Sequence, residues 1–274
     1  LKDTKSSSWT RKLKNQLGYV PKTSGKVIWF HCVSVGEFNA AKPLIDKIFI
    51  KFPLHKIVIS TTTITGSEAV EKHYKSQVIH CFFPFDIPFI VSSFLKKIKP
   101  VACILLETEI WPNLITKLKH KNIPVMLVNA RLSKKSFKKY NKFSPKLVSS
   151  TLNSLSIICS QNESSSKRFI SLGANNNIIT TGSLKFDSNE PSNSKTIQTL
   201  KNITGDRRIV VFASTRKGEE LQIIKSYLAL KSKFNALLLM VPRHPERFNE
   251  VFNMINETGL NVKRRSLASH CEQD

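Results

Sequence analysis

The feature that most constrains this chain is an alternation of short, wholly apolar runs of strand length with segments of helical character. The runs 27–32, 56–61, 78–83, 101–106, 124–129, 155–159 and 178–181 read as strands. Helices are expected between them: over 37–51, over 66–74, after Pro88, from Pro112, over 134–152 with a break near Pro145, and over 162–172 up to Gly173. Proline is harmless in a first helical turn, where its missing N–H would have no partner, and glycine suits the left-handed residue after a helix. Strands apolar on both faces belong in a parallel sheet covered by helices on both sides. The expected fold class is therefore α/β. No apolar run approaches the length of about 18 residues that a membrane-crossing helix needs.

The chain has 274 residues, enough for two domains of ordinary size. After Phe186 the composition changes: residues 187–206 are polar and rich in Ser and Asn, with Pro191 among them. The alternation then resumes, with strands expected at 209–213, 236–241 and 260–263 and helices at 217–232 and 245–258. This predicts a first domain over 1–186, a linker over 187–206 and a second domain over 207–274. Two strand–helix units make an incomplete sheet with uncovered edges, and the chain opens on Leu1, so a fragment of a longer protein is expected.

Charge narrows the partners. Lys and Arg exceed Asp and Glu by 43 to 19, a net +24. Between Glu109 and Glu163 there is no acidic residue, while Lys134, Lys135, Lys138 and Lys139 crowd one short stretch. Such a field attracts polyanions: nucleic acid, an anionic bilayer or a phosphorylated substrate. A merely solvated lysine face is the plainer alternative. Nucleic acid is disfavoured because the aromatic residues fall within apolar runs, as core residues do, and not on a stacking surface. The five cysteines are widely spaced with no C-x-x-C pair, which implies a reducing compartment and no zinc site. The histidines show no ligand spacing, so no metal and no cofactor is expected. Dinucleotide, P-loop, zincin and α/β-hydrolase motifs are all absent.

Ligands of open α/β sheets bind at the carboxyl ends of strands, beside helix N-termini. The first strand ends in Ser34-Val35-Gly36-Glu37. Gly36 would let a ligand approach the backbone, and Glu37 is either a general base or a carboxylate favoured by the helix dipole. The fourth strand ends in Glu107-Thr108-Glu109-Ile110-Trp111-Pro112-Asn113. Burying those acids requires partners, and Arg131, after the next strand, is a candidate for pairing with one of them or for gripping a substrate anion. Lys185 in Gly182-Ser183-Leu184-Lys185-Phe186-Asp187 is either a cation for a leaving phosphate or an exposed lysine. In the second domain the turn 213–220 offers helix N–H groups suited to phosphate, and Pro242-Arg243-His244-Pro245-Glu246-Arg247 closes the next strand.

Together and in order, His31 with Ser34-Val35-Gly36-Glu37, Glu107-Thr108-Glu109-Ile110-Trp111-Pro112-Asn113, Asn129-Ala130-Arg131-Leu132-Ser133, Gly182-Ser183-Leu184-Lys185-Phe186-Asp187 and Val241-Pro242-Arg243-His244-Pro245-Glu246-Arg247 resemble the 3-deoxy-D-manno-octulosonic acid (Kdo) transferase family, over nearly the whole chain. The resemblance implies a GT-B glycosyltransferase of two Rossmann-like domains, the first binding the acceptor, the second, incomplete here, the nucleotide sugar. It implies inverting transfer of Kdo from CMP-Kdo to lipid IV-A in lipopolysaccharide synthesis, without a metal, at the cytoplasmic face of the inner membrane. Glu37 would be the general base, Glu107 and Lys185 transition-state stabilisers, and Pro242 and Arg243 ligands of CMP; His244, Arg131, Ser34 and Gly36 complete the expected binding set. The family's Gly-Gly-His-Asn stretch has no counterpart before Asp274, so residues 1–274 alone are expected to show no transfer. Other GT-B enzymes, transferases or nucleotide-sugar epimerases, share the architecture and stand as the alternative.

Overall fold

The computed structural model describes residues 2–175, 178–187, 194–231, 233 and 236–265. The chain divides into two compact units, Leu1–Asn189 and Glu190–Asp274. In the first, the strands are β1 (Val27–His31), β2 (Lys56–Thr61), β3 (Ile79–Phe82), β4 (Pro100–Leu106), β5 (Val125–Ala130), β6 (Ile157–Ser160) and β7 (Ile178–Thr180). Its helices are α1 (Lys2–Gln16), α2 (Val35–Lys51), α3 (Ile64–Tyr74), α4 (Pro88–Ile98), α5 (Pro112–His120), α6 (Lys134–Phe143), α7 (Pro145–Leu152) and α8 (Glu163–Ser171), with a 3-10 turn at Leu184–Asp187.

All seven strands run parallel in the order β3-β2-β1-β4-β5-β6-β7. The order reverses direction between β1 and β4, so connections leave those two neighbours toward opposite edges. Strand periodicity sends alternate side chains to opposite faces. On β1 and β4, Val27, Trp29, Cys103 and Leu105 join one core with Phe94 of α4, Leu114 of α5 and Leu152 of α7. Ile28, Phe30, Ile104 and Leu106 join the other with Phe38 and Ile45 of α2 and Val70 of α3. Trp29 is wholly buried, and its Nε1 donates to Ser60 Oγ at 2.9 Å, which satisfies its one polar atom. Ser34, Thr63, Ser133 and Asn162 cap α2, α3, α6 and α8 through their side chains.

The second unit holds α9 (Ser194–Thr204), β8 (Arg208–Thr215), α10 (Glu219–Leu230), β9 (Ala236–Pro242), a 3-10 turn (Pro245–Arg247) and α11 (Phe248–Asn256). Strands β8 and β9 pair in parallel. Beneath them Arg247 grips the wholly buried Glu220 with two nitrogens, at 2.7 and 3.2 Å. Burial opposes ionisation of Glu220, yet the guanidinium holds its carboxyl below the ordinary value.

One element has no counterpart among the expectations, and two expectations differ from this architecture. The Lys- and Ser-rich N-terminus forms α1, anchored by Arg11 to Ser67 and Glu71 (2.8 and 2.7 Å) and by Asn15 Oδ1 to the Phe82 N–H (3.0 Å). The expected linker contains α9, because Ile197 and Leu200 stand among its polar residues at helical spacing. No strand forms over 260–263, where no neighbouring strand offers a ladder among the described residues. Among the described residues no helix is long and apolar enough to cross a membrane. The thiols of Cys32, Cys81, Cys103 and Cys159 are free, and burial pushes all four above their ordinary values, that of Cys81 to about 12. They behave as small core hydrophobes; Cys271 lies outside the described residues.

Candidate active site

The reversal of strand order places the carboxyl ends of β1 and β4 side by side, where open α/β sheets hold their ligands. From β1 the chain passes Ser34, whose side chain accepts from the Glu37 N–H at 3.5 Å, and enters α2. Glu37 in the first turn reaches back so that Oε2 accepts from the Val33 N–H at 2.6 Å. The carboxylate therefore serves as part of a helix cap. It is also half-buried, and burial pushes its pKa up to about 7, with the charges of Glu109 and Glu107 adding and the Val33 N–H opposing. Gly36 is exposed, and a Cβ there would meet only Ser34 Oγ, at 3.8 Å. No protein atom requires glycine at that position.

Strand β4 delivers the second acidic segment. Glu107 sits in the left-handed region (φ 58°), a conformation that costs a non-glycine residue energy and occurs often at functional turns. Its N–H donates to the Val128 carbonyl at 3.0 Å, and Thr108 Oγ1 donates to the Arg131 carbonyl. Glu109 accepts from Trp111 Nε1 at 2.7 Å. It also faces Nε2 of the wholly buried His31 at 3.5 Å, a nitrogen with no hydrogen-bond partner. The other ring nitrogen of His31 lies 3.0 Å from Ser60 Oγ. Phe83 stacks on His31 with centroids 3.8 Å apart and contacts Trp111 at 5.0 Å. Asp86 then accepts from the N–H groups of Asn113 and Leu114 (3.0 and 2.8 Å), capping α5 in place of a residue of its own turn.

Of the two readings open for Arg131, the pairing with one of the acids does not form. Its side chain is exposed and in no ion pair with Glu107 or Glu109; Trp111 and His31 occupy the place beside Glu109 instead. Arg131 remains available to an anion from solution. Asn129 at the end of β5 has a part to which the sequence reading gave no role. It is wholly buried and left-handed (φ 55°), and its Oδ1 accepts from the Leu184 N–H at 3.1 Å. Leu184 packs on the core beneath α2, so the 3-10 turn bearing Lys185 lies against the helix bearing Glu37. The clue was its residue type, since Asn tolerates the left-handed region better than most.

In the second unit, Pro242 ends β9 half-buried, and the Arg243 N–H donates to the Thr215 carbonyl at 3.0 Å while its side chain stays exposed. His244 is exposed, 3.7 Å from Glu246. Arg247, by contrast, is spent on Glu220 and Glu250. The turn before α10 is bent by Ser214 (φ 64°) and Gly218 (φ 97°), and within it Glu219 Oε2 accepts from the Arg216 N–H at 2.8 Å. Glu37, Glu107, Arg131 and Lys185 thus belong to the first unit, and Pro242, Arg243 and His244 to the second. Among the described residues no His, Cys, Asp and Glu cluster could hold a metal ion.

The doubly wound parallel sheet, with acids at its reversal point, and the second unit with its parallel strand pair make this an α/β chain of two Rossmann-like units. The same fold is found in the UDP-GlcNAc 2-epimerase of Neisseria meningitidis, with a TM-score of 0.57 at 15% identity over 85% of this chain and 69% of that one. The family model of the 3-deoxy-D-manno-octulosonic-acid transferase (kdotransferase) matches residues 11–188. The 3-deoxy-D-manno-octulosonic acid transferase of Haemophilus influenzae is 37% identical over 97% of this chain and 64% of its own length. That of Bordetella pertussis is 32% identical over 88% of this chain and 58% of its own. The chain belongs to the Kdo transferase family, and it spans about three-fifths of those two relatives.

Proposed function

We propose that the protein carrying this chain transfers Kdo from CMP-Kdo to lipid IV-A, with inversion, in lipopolysaccharide synthesis at the cytoplasmic face of the inner membrane. The observation that carries the reading is the state of Glu37. Its carboxyl is held at the strand-order reversal, where burial raises its pKa to about 7, into the range that suits a general base near neutral pH. It would take the proton of the acceptor hydroxyl as that oxygen attacks the sugar. Glu107, fixed in its strained turn, would oppose the positive charge that grows on the sugar ring. Lys185 and Arg243 would oppose the negative charge on the departing CMP phosphate. The reading needs no metal: the charges it calls for come from side chains. Ser34 and Gly36, beside Glu37, and the exposed Arg131 would face the bis-phosphorylated acceptor, and Pro242 and His244 the nucleotide. The excess of lysine suits an acceptor that lies in an anionic bilayer.

The test is Glu37→Gln in the protein carrying this chain, assayed with CMP-Kdo and lipid IV-A. Glutamine can keep the bond from the Val33 N–H, so the fold should persist while turnover falls at least about a hundredfold, the scale of general-base loss. Turnover close to that of the unaltered protein removes Glu37 from the mechanism.

A further inference from the structure

Helix α5 opens on a residue poorly suited to the place. Trp111 is its N-cap, with extended backbone (φ −112°, ψ 95°), and the side chain makes no capping bond. Serine, threonine, aspartate or asparagine is favoured there, because a short polar side chain accepts from the second or third N–H of the helix. Here that service comes from outside. Asp86, in the loop before α4, accepts from the Asn113 and Leu114 N–H groups at 3.0 and 2.8 Å, and its carbonyl accepts from Asn113 Nδ2 at 2.7 Å. The helix does not need an indole at its start; the capping has been arranged around one.

The indole is held at a set angle. Its one polar atom, Nε1, donates to Glu109 Oε2 at 2.7 Å, and Phe83 lies against the ring with centroids 5.0 Å apart, tilted by 42°. The carboxylate is steadied from within. Nε2 of the wholly buried His31, which has no hydrogen-bond partner, faces the same oxygen at 3.5 Å. Leaving a buried ring nitrogen without a hydrogen bond costs stability, so packing alone does not account for His31. Ser60 Oγ, 3.0 Å from its other nitrogen, and the stacked Phe83 keep the imidazole from turning away. Trp111 itself is only half-buried. The result is a fixed aromatic surface, partly open, four residues beyond Glu107.

The same contacts lead to Glu37. His31 ends β1, and two residues further on the Val33 N–H binds the Glu37 carboxylate at 2.6 Å. Base and indole are thus two ends of one run of contacts through His31 and Glu109. A pyranose carries C–H groups on its faces and hydroxyls at its rim. Its faces suit an aromatic ring, and its hydroxyls suit polar groups placed beside that ring. The sugar that must lie nearest Glu37 is the one whose hydroxyl the base deprotonates.

We propose that Trp111 is the platform on which the sugar ring of the acceptor rests, with Glu109 and His31 as positioning residues that hold the indole at its angle. This deepens the proposed function, on which it rests, by naming the contact that sets the acceptor hydroxyl before Glu37. Saturation-transfer NMR on the protein carrying this chain, with the acyl-free sugar headgroup of lipid IV-A, reads it without turnover. Irradiating the aromatic protons should saturate the ring C–H protons of the headgroup. Trp111→Leu should abolish that transfer and weaken headgroup binding about tenfold, whereas Trp111→Phe, which keeps a ring, should retain most of both. With lipid IV-A as acceptor, Trp111→Leu should raise the acceptor KM and leave that of CMP-Kdo alone. The Trp111 Nε1–H resonance reports the positioning, since a bond to a carboxylate is stronger than one to an amide. Glu109→Gln and His31→Gln should both move it upfield and raise the acceptor KM with it.

Unchanged headgroup affinity and ring saturation in Trp111→Leu would overturn the proposal, leaving Trp111 a packing residue. So would headgroup binding without ring saturation in the unaltered protein, or no headgroup binding at all. Saturation of the Kdo ring of CMP-Kdo in place of the acceptor sugar would give the platform to the donor. Glu37→Gln separates this proposal from the reaction, because it should bind the headgroup with the full ring signal while turnover is lost. If that variant keeps its turnover, the base assignment fails, and the platform is still decided by the ring signal.

Discussion

Strand β1 is buried at every position, whereas β8, equally apolar in sequence, is exposed everywhere except at Thr215. Both are parallel strands followed by helices. They differ in their neighbours: β1 has β2 on one side, β4 on the other and helices over both faces, while β8 pairs with β9 alone among the described residues. Val210 and Val211 consequently stand 43% and 54% exposed. An apolar run tells what a strand is made for, and coverage decides what it contributes. The second unit buries few apolar side chains, Ile224 and Val251 among them, and holds the ion pair of Arg247 with Glu220, whose attraction must first offset the cost of burying both charges.

The largest expected effect tests this contrast directly. Phe30→Ala should cost about 3–5 kcal/mol, the usual range for emptying a buried aromatic site. Val210→Ala should cost under about 1 kcal/mol, as substitutions at exposed positions do. Amide exchange followed by mass spectrometry reads both, because core strands open only with the whole unit and weakly covered ones open locally. Amides of β4 should lose protection in the first variant, and those of β8 should change little in the second. Equal protection of β1 and β8 in the unaltered protein would break the comparison at its root.

The same contrast explains what could be read in advance. The first-unit strands are apolar on both faces, and that pattern has few other uses, so their order in sequence and their parallel pairing were legible, as were Glu37 and Glu107 at strand ends. The helix α1 was not, because its apolar residues Trp9 and Leu13 are exposed and do not pack on the sheet; what holds it are Arg11 and Asn15 bonding to residues more than fifty positions away. Nor was the strand expected at 260–263 avoidable by local reading, since a strand exists only with a partner. Within the site, the contacts of Glu109 with His31 and of Asn129 with Leu184 join residues 78 and 55 apart. Spacing along the chain carries no trace of them.

Asn129 gives a middle-sized effect that sharpens the comparison inside the first unit, between its rigid sheet and the turn that carries Lys185. Asn129→Gly keeps the left-handed backbone and removes the acceptor for the Leu184 N–H, a loss of about 1 kcal/mol. Asn129→Ala removes the acceptor and adds backbone strain, about 1 kcal/mol more. Urea unfolding should rank the alanine variant below the glycine variant. In both, the Leu184 amide should exchange faster while amides of β4 stay protected. If that amide is unchanged, the anchoring of the Lys185 turn lies elsewhere.

The smallest expected effect concerns the two acids around Glu37. Transfer should require the ionised form of Glu37, so turnover should rise with pH through about 7 and level off above it. Burial is the first cause of that raised value; the charge of Glu109 comes next among the raising influences and Glu107 after it. Glu109→Gln removes one charge and can still accept from Trp111 Nε1, so the rising limb should move to lower pH. It should not reach the ordinary carboxylate range, because the burial is untouched. Glu107→Gln should move the limb in the same direction by less, although it lowers the plateau more, since Glu107 is proposed to act on the reacting sugar. A pH–rate profile of the three proteins checks the order. A limb that stays in place in Glu109→Gln would mean that burial alone tunes the base, and that Glu109 serves only to hold Trp111 against the aromatic wall of the site.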